Sequence, residues 1–510
     1  MIKKFKLYII LIAMAVSSAS CLDKMPEDGI PFDKSLQTVS DINLAVIGIY
    51  DAFRSNYLYS GNLTLLPDIQ TDLVYGVNGN TNIYGDIWRW KEIKPTNTDI
   101  EAVYGALYDV INRCNFMLDR ADAVRKKTTD DKDLDKLDQC CGEAYFARAL
   151  AYSELVKLFC KAYESDEDAA GQLGVILSEH YLGDETMRRA SLKDSYQFIL
   201  DDLDRAAELL ELEEDFDTDT QGTLYDSIYF NEYTVHALRA RVLLYMERWE
   251  EAIKYATKVI DSGYYYLSSC TRAATSNASY YKYMWTNDFS TEAIWKVGFT
   301  VNAYGGALGQ VFANYDYSSV RPDYVPAEWV INLYDLNDLR VSTYFQSFTT
   351  GYSHGLTWPL LIKYFGNESF TNYNILHVSM PKVLRLSEQY LIRAEAYVQR
   401  DQPDYGKAGS DISVLRTARY ASYGGSTAMN KENAMDVIEQ ERVKELYMEG
   451  FRLHDLKRWH KGFERKSQDQ SLSNGSSLKV EKDDPLFVWP IPQHELDAPG
   501  SEIEPNESNK

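Results

Sequence analysis

Cysteine is scarce. Six in 510 residues are too few for a disulfide scaffold, and none forms a CxxC or pairs with histidine at zinc spacing. The seven histidines (His180, His236, His354, His377, His454, His460 and His494) include no HExxH. No GxSxG, no Walker loop and no GxGxxG after a strand occurs. Gly305–Gly309 lacks a strand-to-helix setting and reads as a loop. These absences weigh against the familiar metallohydrolases, serine hydrolases and nucleotide-binding enzymes. Positive charge is short too: 53 Lys and Arg stand against 76 Asp and Glu, a net charge of −23 and a pI near 4.8. A nucleic-acid binder needs a basic face, so that class is excluded. Beyond Val16 no stretch reaches 18 consecutive apolar residues, so the body is expected to carry no bilayer-spanning helix.

Apolar residues at 45 % and charged residues at 25 % are those of a globular chain. The length asks for several domains or a repeat-built body. Aromatics reach 13 %, with 39 Tyr against 19 Phe, which suits surfaces that both stack and hydrogen-bond.

The N-terminus points to a compartment. Lys3, Lys4 and Lys6 precede an apolar run from Leu7 to Val16, too short to span a bilayer and of signal-sequence length. Ser17-Ser18-Ala19-Ser20 then leads into Cys21, and small residues before a cysteine resemble a bacterial lipobox. The expectation is a signal peptide over 1–20, acylation of Cys21, and a polar tether over 21–36. Cleavage removes three lysines and no acid, taking the charge from −23 to −26. Cys114, Cys140, Cys141, Cys160 and Cys270 then remain, an odd number, and read as small buried hydrophobes.

Most of the chain has helical periodicity. Thr38–Arg54, with Ser40-Asp41 as its N-cap pair, Asn97–Ala123, Asp133–Phe159 and Leu192–Leu210 each carry an apolar stripe. Arg148–Tyr152 and Arg393–Tyr397 both read R-A-x-A-Y, and Arg239–Leu243 is a weaker third copy. Glu232–Met246 leads into Trp249–Asp261, and Arg385–Gln399 into Tyr405–Tyr420, as pairs of Ala-punctuated helices. Small residues at a crossing let two backbones approach, so these resemble tetratricopeptide-type hairpins. Their uneven spacing excludes a tandem array. Residues 55–96 and 262–382 are insertions rich in Tyr, Trp, Asn and Gly, and such long non-helical stretches are usually functional. The segment 124–138 reads as an exposed turn and 466–484 as a polar loop.

Glu441, Glu445 and Glu449 put three carboxylates on one helix face among Arg442, Lys444, Arg452, Asp455, Lys457 and Arg458. A glycosidase opposes two carboxylates across a cleft, a geometry that successive turns of one helix do not supply. They read as an ion-pair network. Asp215, Asp217 and Asp219 form D-x-D-x-D, but Thr220 and Asp226 stand where an EF-hand loop needs Gly and Glu, so this reads as a solvated acidic turn. No cofactor is expected. Aromatic rings beside Asn and Asp suit sugar rings and peptides equally. Candidate ligand contacts are Tyr75, Asn78, Asn80, Tyr84, Trp88 and Trp90 in the first insertion. In the second they are Tyr283, Trp285, Tyr304, Tyr317 and Tyr324.

These residues carry a family resemblance. Besides the lipobox Cys21, Tyr104–Asn115 is similar to a Y-x-x-I-x-R-x-N stretch. Glu441–Trp459 is close to E-R-x-x-E-L-x-x-E-G-x-R-x-x-D-L-x-R-W, and Trp489-Pro490-Ile491-Pro492 is followed by Glu495-Leu496 and Asn506. The chain resembles the SusD/RagB family of Bacteroidota outer-membrane nutrient-uptake lipoproteins. The resemblance implies a mainly α, SusD-like fold with TPR-type hairpins and long aromatic-rich loop insertions. It implies an N-terminal part over 37–285 and a C-terminal part over 286–510. It also implies no catalysis, and a partner: a SusC-like TonB-dependent transporter barrel on which the lipoprotein sits as a lid, facing the cell exterior. Val325–Val330 and Gly174–Leu177 look like the RagB branch, whose cargo is peptides, so glycan and peptide both stay open. Glycan is preferred because most members serve polysaccharide utilisation.

Overall fold

Helices stacked in chain order form the body of the computed structural model, which describes residues 32–510 apart from 92, 182–186, 211–226, 316–317, 353–354 and 467–476. Cys21, the Asp215/Asp217/Asp219 turn and Tyr317 lie outside the described residues. The long helices are α1 (Val39–Ala52), α2 (Thr98–Arg125), α3 (Asp131–Phe159), α4 (Leu192–Leu209), α5 (Glu232–Tyr245), α6 (Trp249–Ile260), α7 (Leu386–Gln399), α8 (Tyr405–Arg419) and α9 (Ala434–Glu445). Helix α1 begins one step earlier than Ser40-Asp41 implies. Thr38 is the N-cap and Asp41 closes a capping box with it, because Asp41 stands three residues on, where it can accept from the Thr38 N–H. Asn97, Asp130, Ser191 and Asn231 cap α2, α3, α4 and α5. The expected turn over 124–138 shrinks to a few residues, since α2 runs to Arg125 and α3 starts at Asp131.

Each helix from α2 to α8 packs on the next, and α1 covers α2 and α3. The insertions between hairpins are looped out, so the stack is continuous although the repeat spacing is not. Ala147, Ala151, Ala237, Ala240, Ala394 and Ala396 are fully buried, where α3, α5 and α7 meet their neighbours. The arginines of the internal repeats are the struts of this stack. Arg148 on α3 makes a bidentate pair with Asp202 on α4, at 2.7 and 2.8 Å. Arg393 on α7 does the same with Asp411 on α8, at 2.9 and 2.7 Å. Arg239 on α5 reaches back to Asp204 on α4 at 2.6 Å.

The insertions have secondary structure of their own: short helices, among them Asn62–Ile69, Gly85–Trp88 and Tyr280–Thr286, and short antiparallel strands. Strand β1 (Val74–Gly76) of the first pairs with β3 (Tyr324–Pro326) of the second, and β2 (Ala293–Lys296) pairs with β6 (Lys382–Arg385). Between them β4 (Phe345–Thr349) and β5 (Thr357–Leu361) form a hairpin. The β1–β3 ladder joins the insertions around a second apolar core, which includes Tyr75, Trp88, Tyr281, Trp285, Tyr324, Tyr344 and Leu360, with Tyr447 and Met448 from beyond α9. The first core runs through the helical stack and also takes Ile294, Trp295, Leu384, Trp489 and Ile491. Residues from both sides of position 285 therefore enter both cores. Of the expected polar loop over 466–484, residues 467–476 lie outside the described residues, and Leu478–Val480 is a strand paired with Phe463–Arg465. The W-P-I-P segment is a strap: Trp489 N–H donates to Leu158 O, and Asn506 Nδ2 donates to Phe159 O and Trp489 O, which caps the end of α3.

Candidate functional site

Buried charge fixes the second core onto the stack. Glu445 accepts from Arg340, Arg385 and Arg419 at 2.8–3.0 Å. Glu441 faces Arg340 at 2.8 Å and Arg416 at 2.8 Å, and Glu292 joins Arg385 and Arg419. Glu449 accepts from Arg385 and from Lys363. Asp338 binds Arg340 through both oxygens, at 2.8 and 2.6 Å. Burial pushes the Glu441 carboxyl up, but Arg340, Lys444 and Arg416 outweigh it and hold the group at about 2. At Glu445 burial is outweighed in the same way by Arg419 and Arg385, and its carboxyl lies well below the usual range. Burial lowers the Lys363 ammonium to about 8 against the pull of Glu449. Every one of these carboxylates sits against two or more cations, so the charges of the cluster are paired with one another. The network is structural, as the sequence pattern implied.

Several sequence candidates serve the same second core. Trp285 is 1 % exposed, with Lys363, Lys382 and Arg385 over its ring at 4.1, 4.9 and 5.5 Å. Trp88 is 6 % exposed; its indole N–H donates to Val74 O and Arg465 lies 4.5 Å over its ring. Arg465 itself donates to Trp88 O and Thr71 O, the ends of two short helices. Tyr75 and Tyr324 are buried in the β1–β3 ladder, and Tyr324 donates to Ile83 O. All four pack into the second core, Trp88 and Tyr324 with their indole and phenol hydrogen bonds made inside it. Trp90 is half-buried, wedged edge-on between Phe463 and Phe487, with its N–H on Gln70 O. Tyr84 donates to Asn62 Oδ1 at 2.9 Å. Tyr283, Asn78 and Asn80 are partly exposed, the last two on a polar loop at the far end of β1.

Tyr304 is different: it is 46 % exposed. Its loop is welded to the loop after α1. Gly306 N–H donates to Ser60 Oγ at 2.8 Å, and Arg54 Nε donates to Gly298 O at 2.8 Å. A Cβ on Gly306 would fall 1.9 Å from Asn56 Oδ1, and one on Gly305 would fall 2.4 Å from Ser60 Oγ, so only glycine allows this approach. Tyr304 also contacts Phe370 at 6.3 Å between ring centroids, and the turn after Phe370 carries Tyr373. Three loops thus meet here, each presenting an exposed tyrosine close to an exposed asparagine. They are Asn56-Tyr57, Asn302 with Tyr304, and Asn372-Tyr373. Tyr57 and Tyr373 are 48 % and 66 % exposed. Sequence reasoning missed both; the Asn-Tyr dipeptides themselves were the available signal. This rim can stack sugar or peptide planes and hydrogen-bond their edges, since Asn both donates and accepts.

A separate cavity of about 210 Å³ lies at the C-terminal strap, lined in part by Lys457, His460, Asp483 and Phe487. In it Lys457 Nζ donates to Lys157 O and Cys160 O, and His460 Nδ1 lies 2.7 Å from Asp483.

Comparison with known proteins agrees with this architecture. The model of the SusD family matches residues 211–503, and a second family, described as starch-binding and associating with the outer membrane, matches residues 25–225. SusD-like protein P38 of Formosa agariphila is 22 % identical over 98 % of both chains. SusD-like protein P2 of the same organism aligns over only 31 % of this chain and 30 % of its own length, at 24 % identity. A putative sugar binding protein from Bacteroides vulgatus superposes with a TM-score of 0.75 at 22 % identity, over 93 % of this chain and 100 % of that one. A SusD superfamily protein from Bacteroides thetaiotaomicron gives 0.74, also at 22 % identity, over 92 % and 99 %. With a mainly helical stack, a second core built from two insertions and a family model covering more than half its length, this chain belongs to the SusD family.

Proposed function

We propose that the protein is a lipid-anchored outer-membrane receptor that captures glycan fragments on the Asn-Tyr rim and delivers them, as a lid, to a SusC-like TonB-dependent transporter. The observation that carries the reading is the rim itself: three exposed tyrosines beside exposed asparagines, on loops in contact with one another. Pyranose rings have apolar faces and hydroxylated edges, which such a surface matches. The starch-binding description of the second matched family supports the glycan class, and its association with the outer membrane supports the location. The relative from Bacteroides vulgatus is itself described as sugar binding. The protein contributes binding and no bond chemistry; Cys21 would carry the acyl chains that hold it to the membrane.

The RagB-like segments give no separate support to a peptide cargo. Val325, Ala327 and Val330 are core residues, Trp329 donates to Asp72 O, and Gly174 N–H bonds Ala190 O. The deciding experiment is retardation of the purified chain in native gels cast with plant, host and microbial polysaccharides, with mixed-length peptides tested by calorimetry. Retardation by a glycan that is lost in Tyr304→Ala supports the reading. Heat from peptides with silence on every glycan overturns it. Co-purification from detergent is expected to bring down a barrel protein, and recovery of the chain alone counts against the lid.

A further inference from the structure

We propose that the rim selects uncharged oligosaccharides of at least two sugar units and rejects uronic-acid and sulfated glycans; this rests on the glycan reading above. The three loops that build the rim span 55–61, 299–309 and 368–375. Across them the only charged side chain is Glu368. Recognition of a carboxylate or sulfate ester asks for a guanidinium, an ammonium or a nest of backbone donors. The loops contain no Lys and no Arg. The adjoining cation, Arg54, is already committed: it pairs with Asp51 at 2.9 Å and donates to Gly298 O.

The wider field acts in the same direction. The chain carries a net charge of −23, and Asp51 and Glu368 are exposed at the edges of the rim. A polyanionic glycan would meet repulsion at long range and lose its hydration against tyrosine faces with no cation to replace it. A neutral sugar meets neither penalty. Its hydroxyls are paired donors and acceptors, which the exposed amides of Asn302 and Asn372 complement. The length follows from counting faces. One pyranose has two faces, whereas Tyr57, Tyr304 and Tyr373 stand on three separate loops and present three rings. Engaging all three takes more than one sugar unit.

The test uses the full chain in detergent and binding isotherms on polysaccharides coupled to agarose. The neutral set is soluble starch, galactomannan and arabinoxylan; the acidic set is polygalacturonate, alginate and chondroitin sulfate. Any neutral binder is also presented carboxymethylated. The expected result is saturable binding to at least one neutral polymer, weakened 10-fold or more by carboxymethylation at low salt. Tyr57→Ala and Tyr373→Ala should each weaken it 10-fold or more with an unchanged melting temperature. Tight binding of an acidic polymer that these substitutions abolish overturns the selectivity and leaves the glycan reading standing. Neutral binding indifferent to both substitutions removes the rim as the site. Silence on every polysaccharide, with heat from peptides, overturns both readings.

Discussion

Glu445→Gln is the sharpest perturbation of this architecture. The carboxylate is fully buried and accepts four charge-assisted hydrogen bonds from Arg340, Arg385 and Arg419. Glutamine keeps the shape but removes the charge, and its Nε2 protons would face guanidinium donors on one side. Breaking a buried pair by neutralising one partner costs about 3–5 kcal/mol, because the remaining charges stay buried. For a chain of this size, about 2.1 cal/mol/K per residue amounts to an unfolding entropy of roughly 1 kcal/mol/K, so the melting temperature should fall by about 3–5 °C. Differential scanning calorimetry reads this directly. Glu250→Gln, on a side chain that is 72 % exposed, is the control, and surface pairs of that kind contribute about 0–1 kcal/mol. The pH dependence has a defined sign. Glu441 is held at about 2 against an ordinary 4.5, so its stabilisation is present above about 4.5 and is lost as pH falls toward 2. A Glu441→Gln variant should therefore lose less stability than the parent on acidification through that window. A melting temperature within 1 °C of the parent, or an unchanged acid profile, would refute the structural account of the network and reopen the carboxylates to a chemical role.

Trp285→Ala removes a buried indole from beneath three cations and should cost about 3–5 kcal/mol in denaturant unfolding, while the folded fraction keeps its glycan affinity. A selective loss of binding would instead place Trp285 at the ligand. Gly306→Ala forces a Cβ to within 1.9 Å of Asn56 Oδ1 and should displace the rim, weakening polysaccharide retardation. Gly424→Ala, which meets open space, should leave retardation unchanged. Cys21→Ala should move the protein from the membrane fraction to the soluble one, and unchanged anchoring would contradict acylation at that residue.

The helices were legible because their signal is local: apolar spacing, Asn97 and Asp130 as caps, alanines at crossings. The repeat arginines were legible as a pattern but not as a function, since Asp202 lies 54 residues from Arg148. The carboxylate ladder could be read as structural from its neighbours, although Arg340 and Arg385 reach it from 105 and 60 residues away. The insertions were the hard part. Their composition advertises a ligand surface, yet the same Tyr and Trp content is what a second core needs. Pairing of β1 with β3 buries Tyr75 and Tyr324 across some 250 residues of sequence, and no local periodicity reports that. Aromatic content thus identified the region but not which rings face out: Trp88 and Trp285 are buried, while Tyr304, Tyr57 and Tyr373 are exposed.

That division explains how one chain can hold a binding surface on loops without leaving them soft. The rim draws on positions 56–57, 302–306 and 372–373, far apart in sequence and each flanked by core. Phe53 and Leu58 enter the first core on either side of Tyr57, and Leu308 enters the second just beyond Tyr304. The Glu445 network ties the second core to the helical stack through Arg385 at the end of β6 and Arg419 at the end of α8. The loops of the proposed rim are therefore anchored by buried groups, and stacking rings held in place would lose little entropy on binding. If so, stability and affinity separate: Glu445→Gln lowers the melting temperature while binding below the transition stays unchanged, and Tyr373→Ala does the reverse. A single substitution in the network that weakened binding in the fully folded protein would mean that the two cores move relative to each other when the rim is occupied.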